Sequence, residues 1–545
     1  MNTNRRKFIL GASATLLPLV PVALRAGAEE GAGKNPGRPP EPVSAPKLEV
    51  GLTVCNVRQF GAKGDGAALD TGAIQTAIDD AGRVGGRVYF PPGRYLSGTV
   101  RLRSHVALQL EAGATLVASP EKTDFDPYEK LGYRSFDDEE TTYFDFALVR
   151  GTNLEDVSIL GPGTIDGNRQ KRGGPKPIAL KQCRLVRIRD LTLRHAPNYN
   201  ISLLGCDEVD IVGVTIRNGY CDGIDPDCCR NVRIAQCDIE SWDDAIVPKA
   251  STALGVNRAT ENLTVTNCVL TTGCNALKLG TESNGGFKNI AFSNCVVFAR
   301  RDLWRRPPIS GVALEAVDGG LIDRVVVSNI AMADVQAPIF IRLGNRGRGQ
   351  TPPQPRGLRN VSISGIVATG ADLASSITGI PGHPVQGVTL QNIRITVRGG
   401  RDASLARATV PELEAKYPDA NMFGQLPAYG LFCRHVEGLV LDSISIDCEK
   451  PDGRPAVILD DVQDADLRTV LAAPPLGDEP ALWLRSVRDC FLHGLRARAG
   501  TRRYVRLSGA QTAHVRAAGN DFSAAKVPVI VDHDVPRKER QWGRI

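Results

Sequence analysis

Rings and soft side chains are scarce in this sequence: its 545 residues include only 3 methionines, 4 tryptophans and 7 histidines, and aromatic residues make up 5%. So few aromatics leave no row of rings on which bases could stack. The formal net charge of +6 is small for the length, and no basic stripe is interleaved with aromatics, so nucleic acid is not an expected partner. Long apolar runs are lacking too. After residue 24 no stretch approaches the ~20 apolar residues that a membrane-spanning helix needs, and no span is expected. Helical periodicity is nearly missing. One clear stripe occurs, Ile74, Ala77, Ile78 and Ala81, with Asp70-Thr71 able to cap it and Gly85-Gly86 to end it. What remains, 42% hydrophobic and 23% charged residues, is the composition of an ordinary soluble protein.

The first residues read as an address. Thr3-Asn4-Arg5-Arg6-Lys7-Phe8-Ile9 is a twin-arginine pattern, followed by an apolar run from Ile9 to Leu24 that prolines interrupt, and then by small residues at Ala26-Gly27-Ala28. This predicts a signal peptide over residues 1–28 and export to the periplasm or beyond. Interrupting prolines argue against a membrane anchor. Residues 29–47, rich in Gly and Pro, are expected to be a flexible leader.

What is present is a repeat. A polar pair followed by an alternating apolar phrase recurs with centres at Val186, Val209, Val232, Leu263, Ile290, Val325, Val361, Val388 and Leu439. The steps between centres are 23, 23, 31, 27, 35, 36, 27 and 51 residues, as for one coil with insertions in its turns. Period-2 alternation of Val and Ile, punctuated by Asn and Gly, indicates short strands. Strands repeating once per coil stack as an all-β, single-stranded, right-handed parallel β-helix. A leucine-rich horseshoe would need a leucine-heavy signature that is absent. The helix near residue 74 is expected to cap the open first coil. The predicted organisation is thus an N-terminal cap and first coils over 48–130, the main β-helix over 131–470, and last coils with a tail over 471–545.

Six of the thirteen cysteines fall into phase with this repeat. Cys237, Cys268 and Cys295 each lie five residues after a centre, where other coils have Leu191, Val214, Ile330 and Ile393; Cys183, Cys206 and Cys229 lie three before one. Residues spread along a column suit interior packing of small thiols better than convergence on a metal. Asn267, Asn294 and Asn329, four after their centres, are expected to form a stacked ladder at a bend.

Spacing also becomes geometry for the acidic residues. Asp222 lies 13 after Val209, Asp243 and Asp244 lie 11 and 12 after Val232, and Asn275 lies 12 after Leu263. Successive coils would present these side chains at one phase, ~4.8 Å apart. Carboxylates so close cannot all ionise freely, so one should keep a proton while its neighbours stay charged. An acid and a base flanking a bond is the arrangement that glycoside hydrolysis needs. A calcium site is the competing reading. Adjacent strand residues point to opposite faces, so Asp243 and Asp244 share the groove only if a bend turns them together.

The sequence resembles glycoside hydrolase family 28, the polygalacturonase-like enzymes of pectin breakdown. Val57-Arg58-Gln59-Phe60-Gly61-Ala62-Lys63-Gly64-Asp65-Gly66, Phe90-Pro91-Pro92-Gly93-Arg94-Tyr95 and Leu110-Glu111-Ala112-Gly113-Ala114 are similar to the start of its catalytic region. The family's N-T-D motif is matched by Tyr220-Cys221-Asp222, of which only the aspartate survives, and its D-D motif by Asp243-Asp244. The resemblance implies Asp243 as general acid, with Asp222 and Asp244 holding water for an inverting displacement. Two motifs have diverged: G-H-G is replaced by Cys274-Asn275-Ala276, and R-I-K by Ala313-Leu314-Glu315. The lost cations hold a galacturonate carboxylate in typical members, and Glu315 would repel it.

Either Lys249, Lys278, Arg342 or Arg346 supplies the missing charge, or the neighbouring sugar is neutral and Glu315 binds its hydroxyls. For each lysine the plain alternative is a solvated surface charge. Tyr220, Tyr199 and His195 are further candidates for the groove with Asn275, and His435 could reach over it. The expectation is a monomeric exported hydrolase of pectin-like polysaccharide, using no metal or other cofactor. A polysaccharide lyase on the same scaffold and a non-catalytic carbohydrate-binding β-helix are the alternatives. The insertion around Ala403 to Tyr429 could close one end of the groove and favour exo attack.

Overall fold

The structure, a computed structural model, describes residues 53–300 and 306–539. The signal peptide and leader expected over residues 1–47 lie outside the described residues. Among the rest, the repeat centres are the register of one parallel ladder: Val186 pairs with Val209, Val209 with Val232, and so on through Leu263, Ile290, Val325, Val361, Val388 and Leu439. The same column continues through Ala465, Cys490 and Val515. Coils therefore run on past Val470. The phrase fades there because alanine and cysteine take the place of the β-branched centre residue while staying buried.

A second ladder joins Leu193, Ile216, Ile239 and Leu270. A third joins Ile178, Ile201, Ile224, Ile246, Leu277, Val312 and Ile339. Each coil contributes one inward apolar residue or more to every ladder, and those residues form one continuous core. Parallel strands connected in this way wind right-handedly, giving a right-handed parallel β-helix.

The bends explain the asparagines. Asn231, Asn262, Asn289 and Asn360 sit at one bend with φ of 55 to 57°, and Asn267, Asn294, Asn329 and Asn392 at another with φ of 53 to 56°. Asparagine tolerates this left-handed region better than other side chains. It also bonds along the stack: Asn262 Nδ2 donates to Asn231 Oδ1 (3.0 Å), Asn289 Nδ2 to Asn262 Oδ1 (2.8 Å), and Asn329 Nδ2 to Asn294 Oδ1 (3.2 Å). The second of these ladders matches the sequence reading; the first went unread.

All thirteen cysteines are free thiols, eleven of them buried. Cys295 pairs in register with Ile330 and then Ile366, so the thiol occupies a core position that isoleucine fills elsewhere. Near the N-terminus the helix Thr71–Ala81 buries Ile74, Ala77, Ile78 and Ala81 against the first strands. It ends at Gly82, slightly before the predicted glycine pair. Asp70 occupies the N-cap without a capping bond; its carboxylate accepts instead from the main-chain N–H of Lys63 and Gly64 (2.7 and 2.9 Å).

Two long segments leave the coils and fold over the outer face of the third ladder. Residues 121–146 place Phe144 against Ala179, Leu204, Cys228 and Ala253. Residues 400–430 place Ala420 and Phe423 against Ala313, Ala337 and Phe340, and Leu426 against Phe432, Ile458 and Trp483.

The Asn ladder gives a test. Replacing Asn262 by Val puts a β-branched residue at φ 57° and removes two amide bonds, and should cost ~2 kcal/mol or more by denaturant titration. Asn262→Gly should cost less than half as much, since only the bonds are lost.

Candidate active site

Main-chain hydrogen bonds build the column on which the acidic residues stand. Asn200 N–H donates to Asp222 O (3.0 Å), Gly223 N–H to Asp244 O (2.9 Å) and Ala245 N–H to Asn275 O (2.9 Å). Gly223 is required by proximity: a Cβ there would lie 2.3 Å from the carbonyl oxygen of Ala245. Asp222, Asp244 and Asn275 thus share one phase, as their spacing predicts. Asp243 is offset from them. It lies in a bend after the strand Asp238–Ser241, where Ser241 Oγ donates to both Asp243 O (2.8 Å) and Asp244 O (3.2 Å). That bend turns both aspartates to the same side of the coil.

The three carboxylates converge. Asp244 N–H lies 3.2 Å from Asp222 Oδ1 and 3.1 Å from Asp243 Oδ1. One oxygen each of Asp222 and Asp243 lies with Cys221 Sγ in a group whose atoms are within 4.8 Å of one another, and Asp243, Asp244 and Cys274 form a second such group. Each group includes a thiol, and lysines already pair with two of the carboxylates. A hard cation such as calcium prefers six to eight oxygen ligands, so this donor set suits proton transfer better than metal binding.

Two buried lysines hold the column together. Lys249 Nζ sits 2.8 Å from Asp222 Oδ2 and 2.8 Å from Asp225 Oδ1, the latter an ion pair off the hydrogen-bonding direction. Its ammonium lies 3.9 Å from the centre of the Tyr199 ring. Lys278 Nζ sits 2.9 Å from Asp244 Oδ2 and 3.6 Å from Glu315 Oε2. Asn275 adds two bonds to Asp244 Oδ1, from its main chain and its side chain, both 2.9 Å.

These surroundings drive the titrations apart. Burial pushes Asp222 well above the ordinary carboxylate range, outweighing Lys249, and neighbouring aspartates push the same way. Burial acts on Asp244 too, but Lys278 and Asn275 win and hold it below its usual value. Burial raises Asp225 against the pull of Lys249. Asp227, deeper in the wall, is raised to about 6 by burial, even with Ser251 bonded to it.

The other predicted positions divide. Tyr220 is half-buried beside Trp242, ring centroids 4.5 Å apart. Tyr199 is buried, its hydroxyl 3.2 Å from Thr141 Oγ1. His195 turns to Asp166, 3.1 Å away. Arg342 is buried and binds the carbonyl oxygens of Gly379 and Glu412 (2.9 and 2.6 Å). Arg346 is held by Asp318 and Thr281, and His435 by Asp461 and Glu412.

Sequence reasoning missed four residues carried by the long segments and turns. Arg172 Nη1 lies 2.8 Å from Asp243 Oδ2 and its other edge binds Glu140. Tyr417 and Asp419 reach in from 400–430: the Tyr417 hydroxyl is 3.4 Å from Lys278 Nζ and Asp419 Oδ1 is 3.5 Å from Asn275 Nδ2. Counted from Val157, which pairs with Val186, Arg172 lies 15 residues on. That is outside the 11-to-13 phase of the aspartates, so the count does not single it out.

The sequence matches the family model described as glycosyl hydrolases family 28 over residues 129–413, just over half of the chain. Residues 54–119 match the model described as rhamnogalacturonase A/epimerase, pectate lyase-like. Among curated relatives, a probable polygalacturonase of Vitis vinifera is 27% identical over 62% of this chain and 73% of its own length. An exo-poly-alpha-D-galacturonosidase of Dickeya chrysanthemi is 24% identical over 60% of this chain and 64% of its own. Two solved structures share the fold. An exopolygalacturonase from Thermotoga maritima superposes with TM-score 0.55 at 20% identity, covering 63% of this chain and 87% of that one. A family 28 exopolygalacturonase of Yersinia enterocolitica gives 0.51 at 18% identity, covering 81% and 78%.

Glu315, at the position that the resemblance assigns to a cation, supplies a test. It is fully buried, and neither carboxyl oxygen has a hydrogen-bond partner. Burial raises its pKa well above 4.5 despite Lys278. A carboxyl group whose folded pKa is raised binds more protons folded than unfolded, so its contribution to stability falls as pH rises through and beyond the unfolded value. Glu315→Gln should therefore have the parent's melting temperature near pH 4 and exceed it by a growing margin toward neutrality. A lower melting temperature at every pH would mean that Lys278 holds Glu315 ionised.

Proposed function

The chain belongs to the glycosyl hydrolases of family 28, and from that premise we propose that it degrades pectic polysaccharide by hydrolysing glycosidic bonds at a chain end. The observation that carries this reading is the contrast within the acidic cluster. Asp243 has 30% of its side chain exposed at the rim, whereas Asp222 and Asp244 are buried behind it and titrate in opposite directions.

Environment alone would make Asp222 the carboxyl that keeps a proton, since pairs pushed apart usually mark acid and base. Access decides otherwise. A general acid must come within ~3 Å of the leaving oxygen, and among the three Asp243 is the one open to the groove. Asp243 donates its proton to the glycosidic oxygen. Asp244, kept ionised by Lys278, accepts a proton from a water that Asp222 helps to hold, and that water attacks the anomeric carbon. One bond to the leaving sugar breaks, one carbon–oxygen bond to water forms, and no cofactor enters the balance. The nearest carboxylate oxygens are closer than the ~6.5–9.5 Å typical of inverting pairs. The product anomer therefore decides between inversion and retention.

Attack at a chain end is favoured by the two covering segments. Residues 121–146 pack over coils up to and including those of the aspartates, at Leu204, Cys228 and Ala253, and residues 400–430 over the coils after them, so both segments border the acidic cluster. Relatives and structural neighbours include enzymes named for exo action. Export, expected from the twin-arginine start, suits a polymer too large to enter a cell.

Asp243→Asn should lower turnover on pectic oligosaccharides by at least ~10²-fold with an unchanged melting temperature; near-normal turnover would remove the assignment. With the parent enzyme, NMR of fresh product should give the inverted anomer, and the earliest products should be of one small size. A broad ladder of intermediate oligosaccharides would contradict end attack.

A further inference from the structure

We propose that Arg172 is the residue that binds the carboxylate of a uronic-acid unit at the reacting end, in place of the cations missing from the Ala313-Leu314-Glu315 position; this rests on the reading of the site as that of a pectic hydrolase. The cations around the three aspartates carry the case. Lys249 and Lys278 have 4% and 2% of their side chains exposed, and each is shared between two carboxylates. Arg342 is buried on main-chain carbonyls, and Arg346 is held by Asp318 and Thr281. All four are committed to groups of the protein itself. Arg172 has 47% of its side chain exposed and already lies beside the rim aspartate.

Its donors are not all used. A guanidinium has five N–H groups. Nε and Nη2 bind Glu140, and Nη1 binds Asp243 Oδ2. Among the described bonds, one N–H on each Nη nitrogen remains to donate to a carboxylate. The arginine is also held in place. Gly173 N–H donates to Pro197 O (2.8 Å), and Arg169 Nη2 reaches the carbonyls of Ser119 and Pro120 (2.9 and 3.1 Å). Gly174 packs so close to Pro197 that a Cβ would lie 2.6 Å from its ring. The turn is therefore seated on the coil beneath it, and Glu140 fixes the guanidinium from the opposite side.

Binding would do more than anchor the sugar. A carboxylate arriving on Arg172 shares the guanidinium with Asp243, and so weakens the ion pair on Asp243 Oδ2 as the glycosidic oxygen arrives. A neutral sugar has no such effect. The residue would thus couple recognition of the acid sugar to readiness of the proton donor.

The test compares a galacturonate oligosaccharide with its carboxyl-reduced, neutral counterpart. The parent enzyme should prefer the acid form. Arg172→Gln should lower kcat/KM on the acid form by about 10- to 100-fold and cut the preference for the acid over the neutral form by about 10-fold or more; Arg172→Lys should recover part of that preference. Melting temperature reports whether the variants fold. Equal losses on both forms, or an unchanged preference, would overturn the proposal while leaving the hydrolase reading intact. Cleavage of neither form by the parent enzyme would overturn both.

Discussion

Parallel stacking is the constraint on which the site depends. Once successive coils are in register, residues of equal phase are ~4.8 Å apart, and a side chain cannot leave the column without breaking the ladder. Carboxylates placed in such a column must repel or be neutralised. Here the neutralising groups come from the same device: Lys249 and Lys278 project from the coils that follow Asp222 and Asp244 and meet them at 2.8 and 2.9 Å. Buried ion pairs of this kind add little net stability, because desolvation offsets attraction, yet removing one partner leaves the other charge stranded. The column is better understood as fixing the positions and protonation of the aspartates than as holding the fold together, which the continuous apolar core does.

The covering segments turn that column into a site. On an open β-helix wall Lys249 and Lys278 would be hydrated, and their effect on the aspartates would be weak. Tyr199 beneath one and Tyr417 beside the other, with the segments that press on them, remove water from the lysines. The same segments border the acidic cluster, which Glu140 and Asp419 reach from them. Substrate access and electrostatic tuning therefore have one structural cause, and a change that loosened either segment would alter both together.

Much of this could be read from the sequence because a β-helix converts spacing into position. The centres from Val186 to Leu439 gave the register of the main ladder, and the phase of Asp222, Asp244 and Asn275 placed them in one column. Cys295 was recognisable as an interior residue by its coincidence with Ile330. The unread parts lie where the period stops. Glu140, Tyr417 and Asp419 come from insertions whose path is set by what they pack against, so no count of residues points to them. Arg342 shows the converse. Its strand position was legible, but its commitment to the carbonyls of Gly379 and Glu412 depended on residues 400–430 covering it.

The altered motif then takes on a definite meaning. In the resembling family a cation stands where Glu315 stands here, and a simple reversal of charge would make that place hostile to an acidic sugar. Glu315, however, is sealed beneath the covering segment, with Lys278 at 3.6 Å and Asp419 and Tyr417 above the neighbouring coil. A group that no ligand touches does not select a ligand. The Glu315 position is part of the wall, and the lysine one coil earlier serves Asp244. If the substrate keeps its carboxylate, the cation that meets it must come from the opposite side of the aspartates, where Arg172 stands half exposed beside Asp243.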